Sequence, residues 1–64
     1  MKKIKEHTNG TYIYMCMELD DGKTEEIEVY LREKNGEPYT TYKTSADYYP
    51  ERRAQIIAAF DELY

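Results

Sequence analysis

The sequence predicts an α+β fold, in which a three-stranded antiparallel sheet of two consecutive hairpins packs on one C-terminal helix in the order β-β-β-α. Three observations predict it. Two segments alternate apolar and polar residues with the period of two that is typical of half-buried strands. An Asn-Gly pair follows the second segment and favours a two-residue hairpin turn. From Pro50 onward, apolar residues recur every three or four positions, which is the spacing of one helix face.

The first predicted hairpin joins strands at Thr11 to Leu19 and at Thr24 to Arg32. The apolar residues that point inward are odd-numbered on both strands, and core residues must pair with core residues. The numbers of paired residues must therefore sum to an even value, which requires a loop with an odd number of residues. A three-residue loop from Asp20 to Gly22, with the glycine in the left-handed conformation, satisfies this condition. The expected pairs are Met15 with Ile27, Ile13 with Val29, and Tyr12 with Tyr30.

The second predicted hairpin turns at Asn35-Gly36 and brings a short third strand, Tyr39 to Thr44, beside the second. Pro38 suits an edge strand, because proline has no N–H to donate to a neighbour. The expected pairs are Lys34 with Glu37, Leu31 with Thr40, Val29 with Tyr42, and Glu28 with Lys43. The helix must cover the apolar face of this sheet, since neither can bury itself alone. The predicted core residues are Ile13, Met15, Ile27, Val29, Leu31, Tyr42, Ile56, Phe60 and Leu63.

The chain of 64 residues is predicted to form a single small domain, with a polar leader at 1–10, the sheet at 11–44 and the helix at 50–63. No apolar run approaches the ~18 residues of a membrane span, and no apolar signal core follows the N-terminal lysines. Cys16 is the single cysteine, which excludes an intrachain disulfide and fits a reducing compartment. We therefore expect a cytoplasmic protein, of a bacterial cell or of an infected host cell, with no membrane partner.

The sequence offers little for catalysis or for holding a cofactor. His7 is the one histidine, and nothing in the spacing places it as an oriented base beside Cys16. One cysteine and one histidine are too few for a zinc site, and the three glycines stand alone in turns rather than in a phosphate-binding loop. The acidic residues after position 19 lack the spacing of an EF-hand. We expect no enzyme, no catalytic residue, no cofactor and no metal ion.

The sheet face opposite the helix is the most informative feature of the sequence. With the expected registers, this uncovered face presents tyrosines beside glutamates. One interpretation is a merely solvated face, because a wet face is ordinary in an antiparallel sheet and tyrosine is a good strand residue. The other is a protein-binding face, because tyrosine is enriched at interface centres. The candidate partner-binding residues are Tyr12, Tyr14, Glu18, Glu26, Glu28, Tyr30 and Tyr39.

Negative charge is concentrated at the first predicted hairpin. The chain has a net charge of -4, and six acidic residues against one lysine lie between Glu18 and Glu28. Such a patch commonly keeps strand edges from aggregating, and it can also speed the encounter with a basic partner. Small size, acidity and the lack of catalytic groups resemble small phage-encoded inhibitors, including anti-CRISPR and DNA-mimic proteins. The resemblance implies a non-catalytic module that occupies a basic nucleic-acid-binding site on another protein.

Two alternatives stay open. The stretch from Tyr39 to Ala54, a strand followed by a helix, resembles the third strand and helix of AP2-like and integrase arm-binding domains. This resemblance implies DNA binding through the N-terminal lysines and Arg32, Lys43, Arg52 and Arg53. The glutamates of the predicted face depart from that pattern, and phosphate contacts require cations, so nucleic acid is the less favoured partner. In the second alternative, a small regulatory or structural domain pairs with its own copy through the open sheet face.

Overall fold

The computed structural model describes residues 1–64 and contains four strands and one helix. In chain order the elements are β1 (Lys2–Asn9), β2 (Tyr12–Glu18), β3 (Thr24–Lys34), β4 (Glu37–Thr44) and α1 (Pro50–Leu63). Each strand pairs antiparallel with the next, so the sheet order is β1-β2-β3-β4. The predicted α+β class, with an antiparallel sheet and one C-terminal helix, is confirmed. The predicted count of three strands is wrong.

The prediction of a polar leader over residues 1–10 is wrong, because this segment forms β1 and pairs with β2 as far as Asn9 opposite Tyr12. A two-residue turn of Gly10 and Thr11 joins the strands. Gly10 has a φ of 60°, as the first loop position of a type II′ turn requires. Every residue of β1 is exposed, because the helix packs mainly over β3 and β4. A strand with no buried face shows no apolar alternation, which is the signal that strand prediction uses.

Both predicted hairpin registers are confirmed. Strands β2 and β3 pair Met15 with Ile27, Ile13 with Val29, and Tyr12 with Tyr30, while β3 and β4 pair Lys34 with Glu37, Leu31 with Thr40, Val29 with Tyr42, and Glu28 with Lys43. The N–H of Leu19 donates to the carbonyl of Lys23 at 2.9 Å and closes the predicted three-residue loop, in which Gly22 has a φ of 81°. At the second turn Asn35 and Gly36 have φ values of 52° and 80°, as a type I′ turn requires.

The core lies between α1 and the adjoining face of the sheet. Its buried residues are Ile13, Met15, Met17, Leu19, Ile27, Val29, Ala46, Ile56, Ala59 and Phe60. The prediction that Leu31 is a core residue is wrong, because its side chain is 46% exposed. Its N–H donates to the carbonyl of Thr11 in the β1–β2 turn, so Leu31 lies beyond Tyr12, the first residue of β2. Tyr42 and Leu63, also predicted to be core residues, are only partly buried at its margin.

The helix α1 begins at Pro50, whose fixed φ and missing N–H suit the first helical position. Tyr49 precedes it without a side-chain capping bond, and Glu51 in the first turn complements the helix dipole. Ile56 and Phe60 are buried against the sheet. The helix spans 14 residues, and the structure has no helix with the length and apolar character needed to cross a membrane.

A charged network joins the start of α1 to the sheet. The Arg52 guanidinium contacts Glu25 at 2.5 Å and Asp21 at 2.9 Å. The Ser45 hydroxyl donates to the other oxygen of Glu25 at 2.8 Å. Burial of the Glu25 carboxyl opposes its ionisation, but the hydrogen bonds from Arg52 and Ser45 outweigh this effect and hold its pKa below the ordinary value. The network ties the helix to the β2–β3 loop and to the β4–α1 connection.

Candidate functional site

We call the sheet face opposite α1 the open face. Side chains alternate along a strand, and paired residues point to the same side, so the registers define this face. It carries Tyr12, Tyr14, Cys16 and Glu18 from β2, Glu26, Glu28, Tyr30 and Arg32 from β3, and Tyr39, Thr41 and Lys43 from β4. All seven candidate residues therefore share one face, and their role in binding stays a prediction.

Glu28 is the hub of the hydrogen bonds on the open face. Its Oε2 accepts hydrogen bonds from the hydroxyls of Tyr12 at 2.8 Å and Tyr30 at 3.1 Å. The two rings lie 5.3 Å apart between centroids and are tilted by 58°, an arrangement that aromatic pairs favour. The carboxylate is thus fixed by two donors through one oxygen, and its Oε1 makes no hydrogen bond within the protein.

Tyr14 and Glu26 form a second pair next to the first. The Tyr14 hydroxyl donates to Oε2 of Glu26 at 2.5 Å. Tyr14 is paired with Glu28 in the ladder and reaches diagonally to Glu26, just as Tyr12 is paired with Tyr30 and reaches diagonally to Glu28. Diagonal neighbours on antiparallel strands are within reach of aromatic side chains. Two tyrosines of β2 therefore position two carboxylates of β3 in the same way.

The three tyrosine hydroxyls resist ionisation. Donation to Glu28 raises the pKa of Tyr12 to about 12, and desolvation and the nearby negative charge add to the effect. Donation to Glu26 raises the pKa of Tyr14 to about 12 with the same additional causes, and donation to Glu28 also raises the pKa of Tyr30. A phenolate would lose its hydrogen bond and would stand beside an anion. At neutral pH all three hydroxyls are therefore protonated donors.

A shallow depression of about 350 Å³ opens on the face between Tyr14, Glu26, Glu28 and Lys43. Lys43 lies opposite Glu28 in the β3–β4 register, as predicted, but no ion pair joins the two side chains. The depression therefore contains an ammonium group and two carboxylates that are held by tyrosines rather than by cations. None of these three charged groups forms an ion pair within the chain.

The other two candidate residues lie away from this cluster. Glu18 ends β2, beside Lys2 of β1 and opposite Thr24 of β3. Tyr39 lies near the β3–β4 turn, opposite Arg32, and is 46% exposed. The structure thus brings five of the seven predicted residues together and leaves Glu18 and Tyr39 towards opposite ends of the sheet.

Sequence reasoning missed the contribution of β1 to the open face. Lys2 lies opposite Glu18, Lys5 opposite Cys16 and His7 opposite Tyr14, so these three basic side chains line one edge of the face. The register shifts between Lys3 and Lys5, which places Lys2 and Lys5 on the same side despite their odd separation. The Asn-Gly pair at positions 9 and 10 was the available signal, because a hairpin turn implies a strand on both sides of it.

His7 and Cys16 occupy diagonal positions on β1 and β2, which is closer than their spacing in the sequence suggested. No hydrogen bond joins them, and no third residue orients the imidazole, so the arrangement lacks the contacts of an activated nucleophile. No three side chains of His, Cys, Asp or Glu lie close enough together to hold a metal ion. The functional groups that the hydrogen bonds of the open face bring together are carboxylates, hydroxyls and aromatic rings.

In comparisons with protein-family models, with curated proteins and with solved structures, nothing matches this chain.

Proposed function

We propose that this protein is a non-catalytic binding module whose open face takes a basic surface of another protein. The observation that carries the proposal is the pair of carboxylates, Glu26 and Glu28, held by three tyrosine hydroxyls on a face that no other part of the chain covers. Ordered carboxylates beside aromatic rings suit arginine, because a guanidinium can bind the carboxylate and stack on the ring. The face itself contains such a contact, since Arg32 lies over the Tyr30 ring at 5.1 Å.

The hydrogen bonds of the open face favour binding because they order the side chains before a partner arrives. Immobilising a flexible side chain on association costs about 0.5–1.5 kcal/mol. Glu26 and Glu28 are already oriented by Tyr14 and Tyr12, so part of this cost is met when the chain folds. None of these side chains belongs to the buried core, so their substitution tests binding more directly than folding.

We further propose that the partner's basic surface is a nucleic-acid-binding site, which this protein blocks in the manner of a phage-type inhibitor or DNA mimic. The net charge of -4 and the ordered carboxylates of the open face support this further proposal. It predicts that duplex DNA and the protein compete for the same partner. Simultaneous binding of both to that partner would contradict the further proposal and leave the general one intact.

DNA binding is the second candidate function, and the basic edge of β1 favours it. Lys2, Lys5 and His7 add cations to the open face that a three-stranded sheet would lack. Glu26 and Glu28 nevertheless lie in the middle of the face, where they would meet the phosphates of a bound duplex. Replacing a glutamate there by lysine separates the two functions, because it weakens binding to a basic protein and strengthens binding to a polyanion.

The test is capture of a partner from bacterial lysate by Tyr14→Ala, Tyr30→Ala and Glu28→Lys, at low and high salt, with duplex DNA affinity measured in parallel. Tyr48→Ala is the matched control for the loss of a ring, because Tyr48 is 95% exposed in the β4–α1 connection. Glu33→Lys is the control for charge reversal, because Glu33 is an exposed residue of β3 on the opposite face.

We expect the three open-face variants to lose one captured protein that both control variants retain. Truncating an aromatic anchor at an interface centre typically costs ≥ 2 kcal/mol, which is roughly a 30-fold rise in Kd. Charge reversal should act mainly on the association rate, with a smaller effect at high salt. Capture retained by both tyrosine variants, with unchanged circular dichroism, would contradict the proposal. Sedimentation of the free protein as a dimer that these variants dissociate would favour self-association instead.

A further inference from the structure

The charges of the open face lie in rows that follow the strands. Glu18 of β2 and Glu26 and Glu28 of β3 form an anionic middle, and Arg32 of β3 lies beyond it towards the β3–β4 turn. The anionic middle is flanked by Lys2, Lys5 and His7 of β1 on one side and by Lys43 of β4 on the other. Neighbouring strands lie about 4.8 Å apart, so the rows of β1 and β4 are separated by roughly 14 Å. A partner must therefore place its positive charge along a narrow strip.

The two ordered carboxylates also have a defined spacing along the strip. Glu26 and Glu28 are two residues apart on one strand, which corresponds to roughly 6.8 Å. Side chains at positions i and i+2 of an extended peptide have this same spacing and point to the same side. Each carboxylate keeps one oxygen that bonds to nothing in the protein. The strip therefore matches two cationic side chains of an extended chain.

We propose that the open face takes an extended segment of another protein that carries arginines at positions i and i+2 and lies along β2 and β3. The inference rests on the function proposed above and names the partner's chemistry. One guanidinium binds the free Oε1 of Glu28 at the edge of the Tyr12–Tyr30 ring pair, and the other binds the free Oε1 of Glu26 beside Tyr14. Arg32 over the ring of Tyr30 shows the same stacking chemistry within the chain.

The flanking cations disfavour broader partners. An α-helix is about 10–12 Å wide with its side chains, so it would nearly fill the roughly 14 Å between the β1 and β4 rows and bring its flanks close to the lysines. A duplex would meet the carboxylates in the middle of the face. An extended segment is narrow enough to leave Lys5 and Lys43 on either side of it, where they can meet acidic residues that flank the arginines.

The test is fluorescence anisotropy of the full chain with labelled threonine-rich peptides. One peptide has two arginines separated by a single residue, and a second of the same composition has them separated by two. We expect the first to bind about fivefold more tightly, since a misplaced exposed ion pair is worth ~1 kcal/mol. Glu26→Gln and Glu28→Gln should each remove this preference. Glu33→Gln, on the opposite face, should keep it.

The outcomes separate this inference from the function on which it rests. Equal affinity for the two peptides, or a preference that survives both glutamine variants, overturns the spacing inference. Tighter binding of a helical peptide with arginines at i and i+4 overturns the extended conformation. In each of these cases the proposed function still stands if Tyr14→Ala loses the captured partner. If capture is indifferent to Tyr14→Ala and Tyr30→Ala, the function itself fails.

Discussion

Phe60 is the residue whose truncation tests the packing of the helix on the sheet most severely. Its side chain is 5% exposed within the core, and its ring stacks on Tyr64 at 5.1 Å. Replacing a core phenylalanine by alanine removes its burial and leaves a cavity, which together cost about 3–5 kcal/mol. A domain of this length has a total stability of roughly 3–10 kcal/mol. Phe60→Ala should therefore remove a large share of the free energy of unfolding.

The assay is thermal unfolding followed by circular dichroism. For a domain of 60–100 residues each kcal/mol lowers Tm by roughly 4–8 °C, so Phe60→Ala should lower it by at least about 12 °C. Tyr64→Ala is the matched control, because Tyr64 is 58% exposed and contributes the same ring contact without core burial. It should have a much smaller effect. A Tm for Phe60→Ala within a few degrees of the parent would refute the assignment of this residue to the core.

Three further predictions follow from the ion network, the hydrogen-bonded tyrosines and one turn. Arg52→Ala removes the cation that offsets the burial of the Glu25 carboxylate, so it should lower Tm most at neutral pH. The difference in Tm between variant and parent should shrink as pH falls through the lowered pKa of Glu25, because the protonated carboxyl no longer needs the cation. A difference in Tm that grows in acid would contradict the network. Glu28→Gln should return the pKa of Tyr12 from about 12 towards 10, as measured by phenolate absorbance. The raised pKa stabilises the folded protein fully below pH 10, and this stabilisation is lost as pH rises through about 12. The free energy of unfolding should therefore fall less steeply with pH in alkali for the variant than for the parent. An unchanged tyrosine titration in the variant would contradict the hydrogen bond. Gly22→Ala should lower the free energy of unfolding by about 1–2 kcal/mol, because a φ of 81° disfavours an L residue although a Cβ would meet open space. Gly22→Asn should lower it less. Equal free energies of unfolding for the parent and both variants, measured by chemical denaturation, would refute this account.

The elements with one buried face could be predicted from the sequence. Strands β2 and β3 alternate between the core and the open face, so their apolar residues give both the strand and its register. The two turns pointed to the same registers, because glycine and asparagine favour the positive φ values that these loop lengths require. The structure has those positive φ values at Gly22, Asn35 and Gly36. Pro50 and the apolar spacing after it gave the helix and its start.

The errors share one physical cause, which is that the helix is narrower than the sheet. The helix packs mainly over β3 and β4, and every residue of β1 is exposed, so the sequence of β1 resembles a polar segment. Leu31 has the correct parity for the core but lies beyond Tyr12, where β2 begins, and its side chain is exposed. Periodicity reports the side to which a residue points, whereas burial also depends on how far the covering element extends.

The composition of the open face followed from the registers, but its connections did not. Parity alone placed Tyr12, Tyr14, Glu26, Glu28 and Tyr30 together. Which tyrosine reaches which glutamate depends on the diagonal lean of side chains between twisted strands, and the cross-strand pairing does not specify it. The basic row of β1 was missed for the same reason as the strand itself.

The length of the β3–β4 hairpin has a consequence for the motion of the molecule. Beyond the contact between Leu31 and Thr11 the two strands continue alone to the Asn35-Gly36 turn, and every residue from 31 to 40 is exposed. A two-stranded ribbon with no hydrophobic face is only marginally stable in water. Amide hydrogens in this ribbon should exchange with deuterium by local opening, while those of Val29 exchange only when the whole domain unfolds. We therefore expect this arm to fray independently of the rest of the domain, and limited proteolysis should cut it first.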